Sequence, residues 1–230
     1  MRALEGGDLG AGVLGAGAWR KDGKLLITVW GVAPGVGTST LCAGLAEWLT
    51  DAGLQTDFFR EGEREADAFE AAGAVGLDTL LAASADFVDS MLESGDDVVV
   101  TDALMPFVPS LLALGHGDEA LEEFMTELDD VLAPVEPVLV YLDGDVDAAL
   151  ARVVEREGPE WMDSYVDKLA RYGVTPKVTD AGSAVEYLRR ERAVTLGVAR
   201  RPGWRLVRVE RAGERSPAQV LRAVTDELPL

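Results

Sequence analysis

Five short apolar runs, each answered by a stretch of helical periodicity, organise the chain between residues 24 and 228. Lys24–Trp30 predicts the first strand, with Thr28 as the one polar interruption of Leu25-Leu26-Ile27-Thr28-Val29-Trp30. A glycine-rich turn follows, then a helix whose apolar positions include Leu41, Leu45 and Leu49. That helix runs to about Ala52, where Gly53 is a stop signal. Gln55–Arg60 predicts a second strand, ending in Phe58-Phe59-Arg60-Glu61. An acidic, helix-prone region leads to a helix over about Leu77–Glu93. The third strand, Asp96–Asp102, carries the continuous run Val98-Val99-Val100 and turns abruptly acidic at Asp102. A run of this kind suits a parallel strand buried on both faces.

Helices are expected over Phe107–Leu114 and Glu119–Leu132, and a fourth strand over Pro137–Leu142, ending at Asp143-Gly144-Asp145. The next helix, Val146–Glu157, carries Arg152 and Arg156 four apart, so both lie on one side. Gly158-Pro159 breaks the chain before a helix over Trp161–Tyr172. After a loop at Gly173–Gly182, a helix over Ala184–Leu196 is basic on one side through Arg189, Arg190 and Arg192. A fifth strand at Trp204–Glu210 and a closing helix at Pro217–Leu228 complete the pattern.

Strands that alternate with helices imply parallel crossovers. The expected fold is therefore α/β: three layers, α/β/α, around a five-stranded parallel sheet. No internal repeat and no linker divides the chain. Residues 1–23, rich in glycine and alanine, are expected to be a flexible segment ahead of a single domain at 24–230. Their match to G-x-G-x-x-G, residues 10–15, follows no convincing strand. Ligands of open parallel sheets bind outside the carboxyl ends of the strands. Three polar features fall there: the glycine-rich turn, Arg60-Glu61, and Asp102.

The turn is Val32-Ala33-Pro34-Gly35-Val36-Gly37-Thr38-Ser39, followed by Thr40. A strand before it and a helix after it make it a candidate phosphate-binding loop. Gly35 and Gly37 would let the backbone curl so that successive N–H groups face phosphate oxygens, and the helix would add its N-terminal dipole. Ser39 stands at the hydroxyl position that ligates Mg²⁺. Against G-x-x-x-x-G-K-[ST], two positions depart. Val32 replaces the first glycine, with Gly31 one residue upstream as a possible substitute in the turn. Thr38 replaces the lysine that reaches the β- and γ-phosphates. The plainer alternative is a tight β-to-α turn with no ligand.

Charge narrows the partners. With 41 acidic and 21 basic residues the formal net charge is −20, which argues against nucleic acid and anionic membranes. Any phosphorylated ligand must meet local cations. The single cysteine, Cys42, rules out an internal disulfide framework, and its place in a helix suggests a buried apolar role. The single histidine, His116, is expected in a loop, where a solvated role is the plainer reading and a general base the alternative. No run of about 18 apolar residues is long enough to span a membrane, and the N-terminus does not read as a signal peptide. A cytoplasmic location is the expectation that follows.

Taken together, these features resemble the P-loop nucleoside and nucleotide kinases, particularly deoxynucleoside kinases and thymidylate kinases. The strand, loop and helix over Leu25–Thr50 look like the family's opening. Arg60-Glu61 matches the first two residues of the Arg-Glu-Pro of thymidylate kinases, with Gly62 in place of the proline. Asp102 matches the acid of an Asp-Arg or Glu-Arg pair, whose arginine is replaced by Ala103. Tyr141-Leu142-Asp143 through Ala149-Leu150-Ala151-Arg152 resembles the stretch leading into the family's arginine-bearing lid, here about residues 152–182.

The resemblance implies transfer of the γ-phosphoryl group of ATP, or another triphosphate such as GTP, to a small acceptor, with Mg²⁺ as cofactor. Pro34, Gly35, Val36, Gly37, Thr38, Ser39 and Thr40 would hold the phosphates. Ser39 and Asp102 would hold the metal. Glu61, or alternatively Glu63, would accept the acceptor's proton, Arg60 and Glu63 would contact the acceptor, and Arg152 and Arg156 would close over the phosphates. Family members use the arginine that Ala103 replaces near their acceptor, so an acceptor other than thymidylate or an ordinary deoxynucleoside is expected. A homodimer through helices 77–93 and 107–114 is a further possibility.

The replaced lysine is the main tension. Among the four lysines, Lys24 lies at the wrong end of its strand, while Lys168 and Lys177 flank the lid. Arg152, Arg156, Arg189, Arg190 and Arg192 are the other cations that could compensate. The alternatives to an active kinase are a nucleotide-binding protein that has lost catalysis, or an enzyme that uses the loop for a different phosphorylated or anionic substrate.

Overall fold

The structure is a computed structural model that describes residues 24–59, 76–102 and 105–228. Its centre is a five-stranded, all-parallel sheet with the order β2-β3-β1-β4-β5, formed by β1 (Lys24–Gly31), β2 (Thr56–Phe59), β3 (Val98–Asp102), β4 (Val135–Leu142) and β5 (Arg205–Val209). Among the described residues the helices are α1 (Thr38–Asp51), α2 (Leu77–Glu93), α3 (Val108–Ala113), α4 (Asp118–Leu132), α5 (Val146–Glu157), α6 (Glu160–Ala170), α7 (Ala181–Val198) and α8 (Pro217–Thr225). The three-layer α/β/α architecture expected from the alternating pattern is the one observed.

Alternation along the strands assigns the two faces. Leu25, Ile27 and Val29 join Val98, Val100, Val138, Val140 and Val207 in a core closed by Leu41, Leu45 and Leu49 of α1 and Val220 and Val224 of α8. Leu26 and Val99 point the other way, onto Val88 and Met91 of α2, Leu111 of α3 and Phe124, Met125 and Leu128 of α4. Tyr141 and Trp30, nearer the carboxyl edge, meet Leu150 of α5 and Leu188 of α7 on that second face. Both faces are therefore apolar, which is why the strands read as continuous hydrophobic runs.

Register sets the carboxyl edge. Val29 pairs with Asp102, Gly31 with Leu142, and Leu142 with Val209. The β1–α1 loop, Asp102 and Asp143 consequently emerge at the same end of the sheet, Asp102 level with Val29 and Asp143 just past the end of β1. β4 begins at Val135, earlier than the Pro137 start expected from sequence. Its pairing with β5 begins only at Val138, so the missing N–H of Pro137 removes no bond on that side. A short 3₁₀ turn, Ala212–Glu214, which sequence periodicity did not predict, links β5 to α8.

Candidate functional site

The β1–α1 loop has the curl that its glycines predicted. Gly35 and Gly37 have φ of 75° and 108°, a region that side chains with a Cβ rarely adopt. Gly37 is the N-cap of α1 and has no side chain with which to cap it. The first N–H groups of the helix are therefore left for another acceptor, the arrangement that favours anions.

Gly31 plays a different part from the turn glycine expected. It is the last residue of β1 and is not among the glycines with positive φ. Its lack of a Cβ makes room instead: a methyl group there would lie 2.1 Å from Val36 Cγ1 and 3.3 Å from Thr38 Cγ2. Val32, in place of the first motif glycine, is buried and donates its N–H to Leu142 O at 3.0 Å. The loop is thus anchored to the end of β4 by a backbone bond that any residue at position 32 except proline could make.

Ser39 and Asp102 meet directly. Ser39 Oγ, in the first turn of α1, donates to Asp102 Oδ2 at 2.6 Å, and Asp102 is 8% exposed. A hydroxyl and a carboxylate at the mouth of the loop are hard oxygen donors, the set that suits a Mg²⁺ ion otherwise held by water and phosphate. Among the described residues no group of three or more His, Cys, Asp or Glu could hold a metal alone. A magnesium here would need oxygens from its substrate.

A cavity of about 590 Å³ opens beside the loop, between α1, α5 and α8. Gly35, Val36, Gly37 and Thr40 form its phosphate-loop wall, while Val220, Leu221 and Pro217 of α8 give it an apolar floor. Arg152, Glu155 and Arg156 of α5, together with Arg215, also line it. Both α5 arginines contact glycine. A methyl group on Gly35 would lie 2.8 Å from an Arg156 guanidinium nitrogen, and one on Gly213 would lie 2.1 Å from Arg152. Arg156 also donates from Nε to Glu157 at 2.7 Å on the exposed side of the helix. A solvated ion pair and an approach to the loop thus coexist at Arg156.

The other three candidate arginines are committed elsewhere. Arg189 bonds Asp147 and Glu186, and Arg190 bonds Thr175 O and Asp118. Arg192 donates from Nε and a terminal nitrogen to the two oxygens of Asp143, at 2.6 and 2.8 Å. Arg208 joins it at 2.6 Å, and the Gly144 N–H adds a bond of 2.8 Å. Asp143 is only 2% exposed. Burial alone would raise its pKa, but the bonds from Arg192, Arg208 and Gly144 outweigh that and hold it below the usual carboxylate value.

Pro34, Gly35, Val36, Gly37, Thr38, Ser39, Thr40, Asp102, Arg152 and Arg156 are thus gathered at the carboxyl edge around one loop. Arg60, Glu61 and Glu63, along with Gly62 and Ala103, lie outside the described residues. Gly213 and Arg215 were not anticipated. The only sequence signal was a glycine between two arginines, Arg211 and Arg215, just before the Ser216-Pro217 helix start.

No family model matches the chain, and no curated protein matches it. Solved structures do. Deoxyadenosine kinase from M. mycoides with bound dATP aligns with a TM-score of 0.53 at 12% identity, over 90% of this chain and 100% of that one. Thymidylate kinase from Ehrlichia chaffeensis aligns with a TM-score of 0.51 at 16% identity, over 90% and 100%. The M. mycoides enzyme with products dCMP and a flexible dCDP bound gives 0.50 at 14% identity, over 89% and 98%. At these identities the likeness establishes the fold, that of the P-loop nucleoside and nucleotide kinases. Among the described residues no helix is long and apolar enough to cross a membrane.

Proposed function

We propose that the protein is a small-molecule phosphotransferase, binding a nucleoside triphosphate such as ATP or GTP with Mg²⁺ and passing its γ-phosphoryl group to a hydroxyl or phosphate acceptor. The observation that carries this reading is the contact of Ser39 with Asp102 directly beneath a loop whose glycine φ angles leave helix N–H groups free. The phosphates lie along Gly35–Thr40, and the nucleoside occupies the neighbouring cavity. Ser39 and Asp102 hold the magnesium, which when bound neutralises phosphate charge. Arg156, already against Gly35, supplies the cation that Thr38 does not, and Arg152 contributes from one turn earlier. Phosphoryl transfer depends chiefly on such positioning and charge stabilisation. Glu61 is the proposed base toward the acceptor.

Isothermal calorimetry with MgATP and MgGTP, followed by an ADP-release assay over nucleosides, nucleotides and sugar or amino alcohols, tests this reading. Binding and turnover with at least one acceptor are expected, and absence of both defeats the reading. If Arg156 fills the lysine's role, Thr38→Lys changes turnover little.

A second reading rests on the same Thr38, whose methyl group faces Gly31. It holds that the protein binds nucleotide as an accessory factor without transferring phosphate. Binding without turnover, unrescued by Thr38→Lys, would select it.

A further inference from the structure

The cavity beside the loop has a second wall, and positive charge stands on that wall too. Both walls hang on consecutive carbonyls at the end of β4. Leu142 O accepts the N–H of Val32 at 3.0 Å, and Asp143 O accepts the N–H of Ala212 at 2.9 Å. The first bond places the loop. The second places the Ala212–Glu214 turn that leads into α8. The gap between loop and turn is therefore set by the sheet rather than by either segment.

Helix α5 lays one arginine on each wall. Arg156 meets Gly35 of the loop, and Arg152, one turn earlier, meets Gly213 of the turn. A methyl group on Gly213 would lie within 3.0 Å of three Arg152 guanidinium atoms, Nη2, Cζ and Nε. Side chains four apart on a helix start about 5–6 Å apart, so the two charges are spaced along the cavity rather than focused on one point. Arg215 adds a third. Its N–H donates to Ala212 O at 3.1 Å, closing the turn, and the residue lines the same cavity.

These cations have not been used by the fold. Arg189, Arg190, Arg192, Arg201 and Arg208 are each bonded to a carboxylate. Among the described residues neither Arg152 nor Arg215 makes a side-chain hydrogen bond or an ion pair. The one carboxylate among the described residues of the lining is Glu155, and it is paired with neither. Three guanidiniums against one carboxylate leave the cavity net positive in a chain of net charge −20. A concave surface of one sign concentrates ligands of the other.

We propose that the nucleotide preferred by this cavity carries a further phosphate on its ribose, held by Arg152 and Arg215 at the Gly213 turn. The inference rests on the reading of loop and cavity as a nucleotide site and narrows which nucleotide enters it. The 5′-phosphates lie along the loop with Arg156. The base lies on the apolar surface of Leu41, Pro217 and Leu221. The ribose then stands between the two walls, with its 2′ and 3′ positions toward Gly213. A phosphate at one of them receives the planar N–H donors of two guanidiniums, which match phosphate oxygens in pairs. Glycine at position 213 leaves Arg152 the room to lie there.

Calorimetry on the full chain with Mg²⁺ tests this. AMP and GMP are compared with adenosine and guanosine bisphosphates that carry one phosphate at 5′ and the other at 3′ or 2′. The ribose phosphate should tighten binding about tenfold or more, as charge-assisted bonds would. The 3′ and 2′ arms identify which hydroxyl bears it. Arg215→Gln should reduce that advantage about fivefold. Gly213→Ala, which places a methyl group where Arg152 rests, should reduce it as well. Arg222→Gln, at an exposed arginine of α8 that faces Asp226 and does not line the cavity, should leave it unchanged.

Mononucleotides that bind as tightly as the bisphosphates overturn the proposal and leave the nucleotide reading standing. An advantage that survives both Arg215→Gln and Gly213→Ala overturns it in the same way. So does an advantage lost equally in Arg222→Gln, because diffuse surface charge then explains it. Absence of binding by every nucleotide, MgATP and MgGTP included, overturns the proposed activity together with this inference.

Discussion

Two pairs of arginines stand at the carboxyl edge of the sheet, and the protein uses them in opposite ways. Arg192 and Arg208 converge on Asp143, a carboxylate almost wholly out of solvent, and bind it from α7 and β5. Arg152 and Arg156 stand on α5 beside the cavity, where their nearest partners are glycine backbones and one exposed carboxylate, Glu157. The first pair is consumed in joining elements: Asp143 follows β4, and its arginines bring α7 and β5 to it. The second keeps its charge available. In a chain of net charge −20, these two arginines stand beside the loop with a single exposed carboxylate, Glu157, as their ion-pair partner.

The contrast can be broken most forcefully at Asp143. Asp143→Ala leaves two arginines facing an apolar strand end and should cost about 3 kcal/mol of stability, read by denaturant unfolding. Nucleotide affinity of the folded protein should stay near wild type. Arg156→Ala should do the reverse. Its exposed pair with Glu157 contributes little, so stability should move by less than about 0.5 kcal/mol. Affinity for MgATP should fall about tenfold in calorimetry, worth about 1.4 kcal/mol. Equal effects of both variants on stability, or on affinity, would erase the distinction.

The smallest expected effect is one of acid. Asp143 has a lowered folded pKa, so its contribution is present above the ordinary value of 3.8 and is lost as pH falls through the folded value. The stability gap between wild type and Asp143→Asn should therefore narrow as pH drops below about 4, in thermal unfolding followed by circular dichroism. Glu191, whose pKa burial pushes up to about 7, works in the opposite direction and at higher pH, so Glu191→Gln and Asp143→Asn should bend different limbs of the stability curve.

Much of this frame is legible along the chain. The Leu77–Glu93 helix and the Val146–Glu157 helix have the bounds that their periodicity and flanking glycines indicate. The strands announce themselves because both faces of the sheet are covered. Gly35 and Gly37 announce the loop because few other residues accept its backbone angles. The use of each arginine is not legible in the same way. Arg189, Arg190 and Arg192 looked as available as Arg152 and Arg156, since periodicity assigns a residue to a face but not to a partner. The part Gly31 plays is hidden for a similar reason: it comes from the Val36 side chain across the loop, not from its own φ.

The sequence by itself therefore determined the layers and the loop, because those follow from period and local backbone freedom. Only the tertiary structure decided that Ser39 meets Asp102, that Asp143 is gripped by two arginines, that Glu191 is buried against Trp30, and that a cavity lies between Gly35 and Gly213. Each of these joins residues far apart in the chain. Their distances are set by strand order and register, which are decided by the packing of the whole sheet rather than by any one segment.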